Sequence, residues 1–197
     1  MSTQTIAFPR VSEIQDFFFD ASLATYAGDT PKTTIPDLPG SKHYHFERGD
    51  LIYDDVYFTN GESSGGSTVI CLRAEPKPRT LWLMQYQGWC EGDNPEVLAF
   101  LKDALRYAYE HRSFCGGRGE RRYPVTSTRH KISGGITLEY FNEGNEADGP
   151  IHSLGQSPFH KFSGEECITR LPTRLGGPNK IFWHRYQGLL LIPYHGM

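Results

Sequence analysis

Two stretches of the chain repeat their apolar residues at helical spacing. From Ser12 to Ala27, behind Pro9, the residues Ile14, Phe17, Phe18, Ala21 and Leu23 fall close to one face, and Gly28 closes the run. From Pro95 to Arg112 the stripe is Val97, Leu98, Leu101, Leu105 and Ala108, with Asn94 placed as N-cap and Pro95 in the first turn. The spacing predicts two amphipathic helices lying on a sheet.

Elsewhere the period shortens towards two. Leu51–Thr59 alternates aromatic or aliphatic side chains with acidic ones, Thr68–Arg73 is rich in β-branched residues, and Thr80–Trp89 reads as half-buried. A second set follows at Gly135–Phe141, Phe159–Leu171 and Lys180–Ile192. Stretches rich in Gly, Pro or polar residues at 60–67, 75–78, 142–158 and 172–178 separate these strands. The longest, 142–158, predicts a polar insertion or a lid over a site.

The two sets resemble each other. W-L-M-Q-Y-Q-G at Trp82–Gly88 matches F-W-H-R-Y-Q-G at Phe182–Gly188, with tyrosines 100 positions apart at 86 and 186. Gly66 and Gly164 open similar strands, and both helices carry F-x-x-D-A, at Phe17 and at Phe100. Each half therefore reads helix, strand, strand, strand, over 12–89 and 95–192. One such unit buries too little apolar surface alone, so the expectation is a single duplicated α+β domain. Its antiparallel sheet would carry both helices on one face, with a pseudo-twofold axis bringing Tyr86 onto Tyr186. Gly88 and Gly188, inside aromatic strands, predict a close contact or a positive φ.

Composition narrows the function. At 197 residues and 22.3 kDa the chain suits one core, and aromatics at 13% exclude a disordered one. Lys and Arg number 20 against 23 Asp and Glu, a net charge of -3, so no overall positive field favours a nucleic-acid partner. The longest aliphatic run, Leu189–Ile192, is far short of the roughly 20 residues a membrane span needs. The amino-terminal segment lacks a signal-peptide pattern, and the four cysteines form no C-x-x-C pair. They read as reduced thiols in a cytoplasmic protein.

A resemblance is carried by A-T-Y-A-G at Ala24–Gly28, G-S-K at Gly40–Lys42 and G-D-x-x-Y-x-D-x-Y-F at Gly49–Phe58. L-W-L-M-Q-Y-Q-G at Leu81–Gly88, F-L-K-D-A-L-R at Phe100–Arg106, R-G-x-x-x-Y at Arg118–Tyr123 and F-S-G-E-E-C-I at Phe162–Ile168 complete it. With these motifs in order along nearly the whole chain, it resembles a small bacterial family of unknown function. That family occurs stand-alone and fused behind XRE-type helix-turn-helix domains in transcriptional regulators. The resemblance implies a sensor module without known catalytic residues. Nothing before Ser12 is long enough for a helix-turn-helix, so a stand-alone form is expected. Where the family tends to carry G-E-E, Gly66 is followed by Ser67 and Thr68, which leaves Glu165 and Glu166 as the remaining carboxylate pair.

Several residue patterns bear chemistry. In an extended strand Tyr53, Asp55 and Tyr57 share a face, an aromatic wall around a carboxylate suited to a cation or amine. His184 and Tyr186 alternate onto one face, and Glu165 or Glu166 on a neighbouring strand would orient the imidazole as a general base. The expected ligand-binding set is Tyr53, Asp55, Tyr57, Tyr86, Glu165, His184 and Tyr186, with Asp55 and Glu165 meeting across the seam between halves. The candidate catalytic set is His184, Glu165 and Glu166. His43 and His45 would point the same way as two metal ligands do, with a third ligand from Glu47, Asp50 or the second half. Nothing in the spacing demands that, and they read as exposed histidines before a strand, so no metal and no cofactor is assigned. Arg118, Arg121 and Arg122 read as a solvated basic loop with an anion site as the alternative, and there is no G-x-S-x-G. The expectation is a small-molecule-binding or sensor module, with a small His/Glu enzyme or a protein interaction module as alternatives.

Overall fold

A computed structural model describes residues 8–28, 30–115, 118–123, 131–132, 136–145, 159–170 and 179–192. The expected insertion from 146 onward and the 172–178 spacer lie outside them. Helix α1 spans Val11–Ala24 and α2 spans Pro95–Glu110. The Glu13 carboxylate accepts the Arg10 N–H at 2.7 Å at the start of α1, and Asn94 Oδ1 accepts the Glu96 N–H at 2.9 Å at the start of α2. Both side chains satisfy donors that a helix start leaves open.

The strands are β1 Lys42–Arg48, β2 Leu51–Asn60, β3 Ser63–Leu72, β4 Arg79–Cys90, β5 Arg122–Tyr123, β6 Lys131–Ile132, β7 Ile136–Asn145, β8 Lys161–Arg170 and β9 Asn179–Leu190. They pair antiparallel in the order β1-β2-β3-β4-β9-β8-β7-β5, with β6 also on β7. The helices touch each other and share one core with the inner face of the sheet. Among the described residues no helix is long and apolar enough to cross a membrane.

Several strand boundaries differ from the expectation: in the second half the short β5 and β6 are additional, and β7 runs on to Asn145, into the expected loop. β1 is an additional strand, so the first half is one helix with four strands rather than three; its alternation places Lys42, Tyr44 and Phe46 inward, of which only the two aromatics are apolar. Residues 63–67 belong to β3 rather than to a loop, because β2 and β4 pair with them from both sides. Gly66 is required there: a Cβ would stand 2.5 Å from that of Tyr57.

At the centre of the sheet Tyr86 pairs with Tyr186, flanked by Gln85 with Gln187 and Gln87 with Arg185. Away from this pair the two sides run in parallel terms. Gly66 faces Tyr86 as Gly164 faces Tyr186, and Tyr53 pairs with Ile70 as Tyr140 pairs with Ile168. The register shifts after Ile70 on one side and after Ile168 on the other. Phe17 meets Phe46, and Phe100 meets Tyr123, each at 5.7 Å between ring centroids.

The core centres on Trp82, fully buried between Phe18 at 5.0 Å and the stacked rings of Phe159 at 5.0 Å and Phe162 at 5.5 Å. Its indole N–H donates to the Phe159 carbonyl at 3.3 Å, so the one polar atom of the side chain is satisfied. A Cβ on Gly88 would stand 1.9 Å from the Trp183 carbonyl, and one on Gly188 would stand 2.2 Å from the Phe162 ring. Neither glycine has a left-handed φ, so of the two expected reasons close approach applies.

Candidate functional site

Between the inner face of the sheet and the two helices lies a cavity of about 160 Å³. Its floor is Tyr53, Asp55 and Tyr57 of β2, Thr68 of β3, Tyr86 of β4 and His184 of β9. Tyr26, from the turn after α1, and Leu101 and Tyr109 of α2 cover it. The exposed residues that line it are Lys32, the β2–β3 hairpin at Thr59, Gly61, Glu62 and Ser63, and Asp93 before α2, which mark the opening.

Asp55 is the polar centre of the floor. It is only 3% exposed, and its Oδ1 accepts hydrogen bonds from Thr68 Oγ1 at 2.9 Å and from the Tyr86 hydroxyl at 2.7 Å. Burial pushes its carboxyl above the ordinary 3.8, and the two hydroxyls and the charge of Arg118 offset that only in part. Tyr44 and Tyr57 stack beside it with ring centroids 6.3 Å apart, and Lys42 Nζ lies 5.6 Å over the Tyr57 ring.

A second polar group borders the first. Arg118 is buried with its guanidinium over the ring of Tyr86 at 5.2 Å and of Tyr26 at 6.0 Å. Its Nε is 2.8 Å from Oε1 of Glu166, which is wholly buried, and His184 Nδ1 is 3.4 Å from the same oxygen. The Arg118 contact is a charge pairing and the His184 contact a dipolar one, since none of the three atoms makes an aligned hydrogen bond. The Tyr140 hydroxyl donates to Glu166 Oε2 at 2.8 Å. Desolvation works against the Glu166 anion, but Arg118, His184 and Tyr140 outweigh it and hold its pKa below the ordinary 4.5. Burial pushes His184 below the ordinary 6.5 against the pull of Glu166, so its imidazole is neutral at pH 7. Its Nε2 sits 2.9 Å from Ser64 Oγ.

Of the expected residues, Tyr53, Asp55, Tyr57, Tyr86 and His184 all line the cavity. Glu165 does not. The register sets Glu166 opposite His184 and Glu165 opposite Arg185, so Glu165 points to the outer face. There it accepts the Trp183 indole N–H at 3.1 Å and lies 3.9 Å from Arg185. Strand alternation therefore leaves Glu166 as the carboxylate beside His184. Tyr186 is buried in the second half, where its hydroxyl donates to Asn142, and it does not line the cavity.

Asn142 occupies in β7 the place Asp55 has in β2, two residues from the tyrosine that pairs with the bulge isoleucine. Its amide donates to the carbonyls of Cys115 at 2.7 Å and Gly119 at 2.6 Å. Gly119 lies so close to the Tyr140 hydroxyl that a Cβ would stand 2.5 Å from it. The second half is thus closed by its own chain where the first half is hollow. The basic loop is solvated in part, as expected: Arg121 and Arg122 are exposed, Arg122 Nε donating to Glu139 at 2.6 Å, whereas Arg118 is buried. Sequence reasoning places Arg118 in a solvated loop and does not single out Tyr26, Tyr44, Thr68 or Ser64; recognising β1 would have exposed Tyr44.

Compared with known proteins, the chain matches no family model, no curated protein and no solved structure.

Proposed function

We propose that the chain is an internally duplicated small-molecule-binding domain whose ligand sits over Asp55. The observation that carries this reading is the buried carboxyl itself. Burying a carboxyl costs several kcal/mol unless it is paired or well hydrogen-bonded. Both bonds it accepts fall on Oδ1. At the corresponding place the second half uses an asparagine, which fills a purely structural role without a charge. An aspartate facing a tyrosine-lined hollow is suited to a ligand that brings its own donor or positive charge. The cavity, at about 160 Å³, is comparable with the ~150 Å³ cavity that holds benzene in an engineered protein, which points to a single-ring amine or phenol. The central Tyr86–Tyr186 pair and the matching bulges support the duplication. A sensing role in the cytoplasm is what the likeness to regulator-fused bacterial modules implies. Native mass spectrometry of the purified protein, followed by a thermal-shift screen of ring amines and phenols, tests the reading. A retained or stabilising molecule whose effect is lost in Asp55→Asn supports it, and a binder indifferent to that substitution overturns it.

A second reading, a small hydrolase, is favoured by one observation. Ser64 Oγ, His184 and Glu166 stand in line, with Nε2 2.9 Å from the hydroxyl and Nδ1 3.4 Å from the carboxylate. A neutral imidazole so placed has the form a general base requires. Labelling of Ser64 by a fluorophosphonate, abolished in His184→Ala, is the result that would replace binding by catalysis. The interaction-module reading has less support, because these tyrosines line a hollow rather than a flat exposed patch.

A further inference from the structure

On the outer face of the sheet, away from the cavity, we infer that His43, His45 and Asp54 form a binding site for a divalent transition-metal ion of the zinc type. Alternation along β1 puts both imidazoles on one side, and the register sets His45 directly opposite Asp54. His43 Nε2 is 2.8 Å and His45 Nδ1 2.7 Å from the same oxygen, Asp54 Oδ1, and all three atoms lie within 4.8 Å of one another.

The far side of His45 decides what this convergence needs. Its Nε2 is 3.2 Å from Glu47 Oε1, and Arg73 holds Glu47 through the other oxygen. A neutral imidazole has one N–H. If Glu47 takes it at Nε2, then Nδ1 presents a lone pair to a carboxylate oxygen at 2.7 Å, an arrangement that calls for a positive charge between the two. A carboxylate behind a histidine is also how metal-binding imidazoles are oriented and made more basic. Glu47, one of the third ligands the sequence leaves open beside Asp50 and the second half, stands behind a histidine instead, and the third ligand comes from the neighbouring strand.

Two imidazole nitrogens and one carboxylate oxygen suit zinc, with a position left for water. Bonds of about 2.0–2.2 Å in a tetrahedron separate ligand atoms by roughly 3.3 Å, so the side chains need to open by only about half an ångström. His45 and Asp54 are partly exposed at the sheet edge, which lets an ion reach them. Among the described residues the second half has no counterpart: at the positions corresponding to His45 and Asp54 it carries Arg122 and Phe141, stacked at 5.2 Å. The cluster is therefore no by-product of the fold.

The test uses the whole protein, freed of metal by EDTA and dialysis, and titrated with zinc chloride by calorimetry and with cobalt(II) by visible absorption. The expected result is saturable one-to-one binding with a cobalt d–d band, weakened at least tenfold or so in His43→Ala, His45→Ala and Asp54→Asn. Glu47→Gln should weaken it by about 10-fold while keeping the band. Asp55→Asn, which removes the carboxyl of the cavity, should leave zinc affinity unchanged, so this outcome is independent of the ligand proposed there. Thermal melts establish that each variant is folded. Absence of binding, or binding that is equal in the folded variants, overturns the inference and assigns any bound metal to other groups such as the cysteines.

Discussion

Tyr86 and Tyr186 stand directly opposite each other in the central strand pair, and each phenol donates to the residue at the same place in its own half, Asp55 in one and Asn142 in the other. One geometry thus holds an acid above a hollow and a carboxamide beneath a plug. The substitution that interconverts them is the most informative one to make.

Asp55→Asn is expected to stabilise the protein at pH 7. The folded-state pKa of Asp55 is raised by burial, so its favourable contribution is fully present below the ordinary 3.8 and is lost as pH rises through the folded value. At neutral pH the wild type therefore carries an unfavourable anion that asparagine lacks. Urea denaturation of both proteins at pH 7 and near pH 4 checks this; the advantage of the variant should shrink towards the acid end.

The Arg118–Glu166 pair predicts the opposite pattern. Removing the cation alone by Arg118→Met leaves an orphaned buried carboxylate and should cost about 3–5 kcal/mol. Adding Glu166→Gln should recover a large part of that cost. Glu166 has a lowered pKa, so the stability it contributes is present above the ordinary 4.5 and is lost as pH falls through the folded value. A double-mutant cycle at pH 7, with the double variant no better than the sum of the singles, would contradict this pairing.

Gly88→Ala should cost about 3 kcal/mol or more, because the added carbon meets the Trp183 carbonyl at 1.9 Å and the backbone of a central strand cannot yield. Gly61, in the hairpin turn with φ +56 and open space above it, provides the contrast. Alanine there should cost only about 1–2 kcal/mol, the strain of a left-handed residue. Thermal denaturation of the two variants side by side measures the difference.

Trp82→Ala is expected to destabilise by about 3–5 kcal/mol, since it empties the space between Phe18, Phe159 and Phe162. Chemical denaturation gives the value, and a loss below about 1 kcal/mol would mean that the aromatic cluster closes over the gap.

Both helices were legible because their apolar stripes are long enough to fix the period, and the strand pair around Tyr86 and Tyr186 was legible from its aromatic alternation. Residues 63–67 read as a loop because Ser and Gly carry no strand signal of their own; only the partners on either side make them a strand. β1 is hard to read for a related reason, since of its inward residues only Tyr44 and Phe46 are apolar. The choice between Glu165 and Glu166 turns on which of two successive residues in β8 faces inward opposite His184, a register that composition does not encode. Arg118 was unreadable as a buried cation because its partners, Tyr26, Tyr86 and Glu166, lie in elements far apart along the chain. The His43, His45 and Asp54 cluster needed the pairing of β1 with β2 in the same way.

The central seam has a consequence for how the molecule holds together. β4 and β9 join the two sides through main-chain bonds, while the covalent path between them passes through the short exposed turn Glu91–Asp93. Cutting at Gly92 would sever no strand pairing in the sheet. In thermodynamic terms the protein is a heterodimer carried on one polypeptide, its association made unimolecular by that short tether. Fragments divided there should reassociate when refolded together, and each alone should present a bare central strand to the solvent as an aggregation-prone edge.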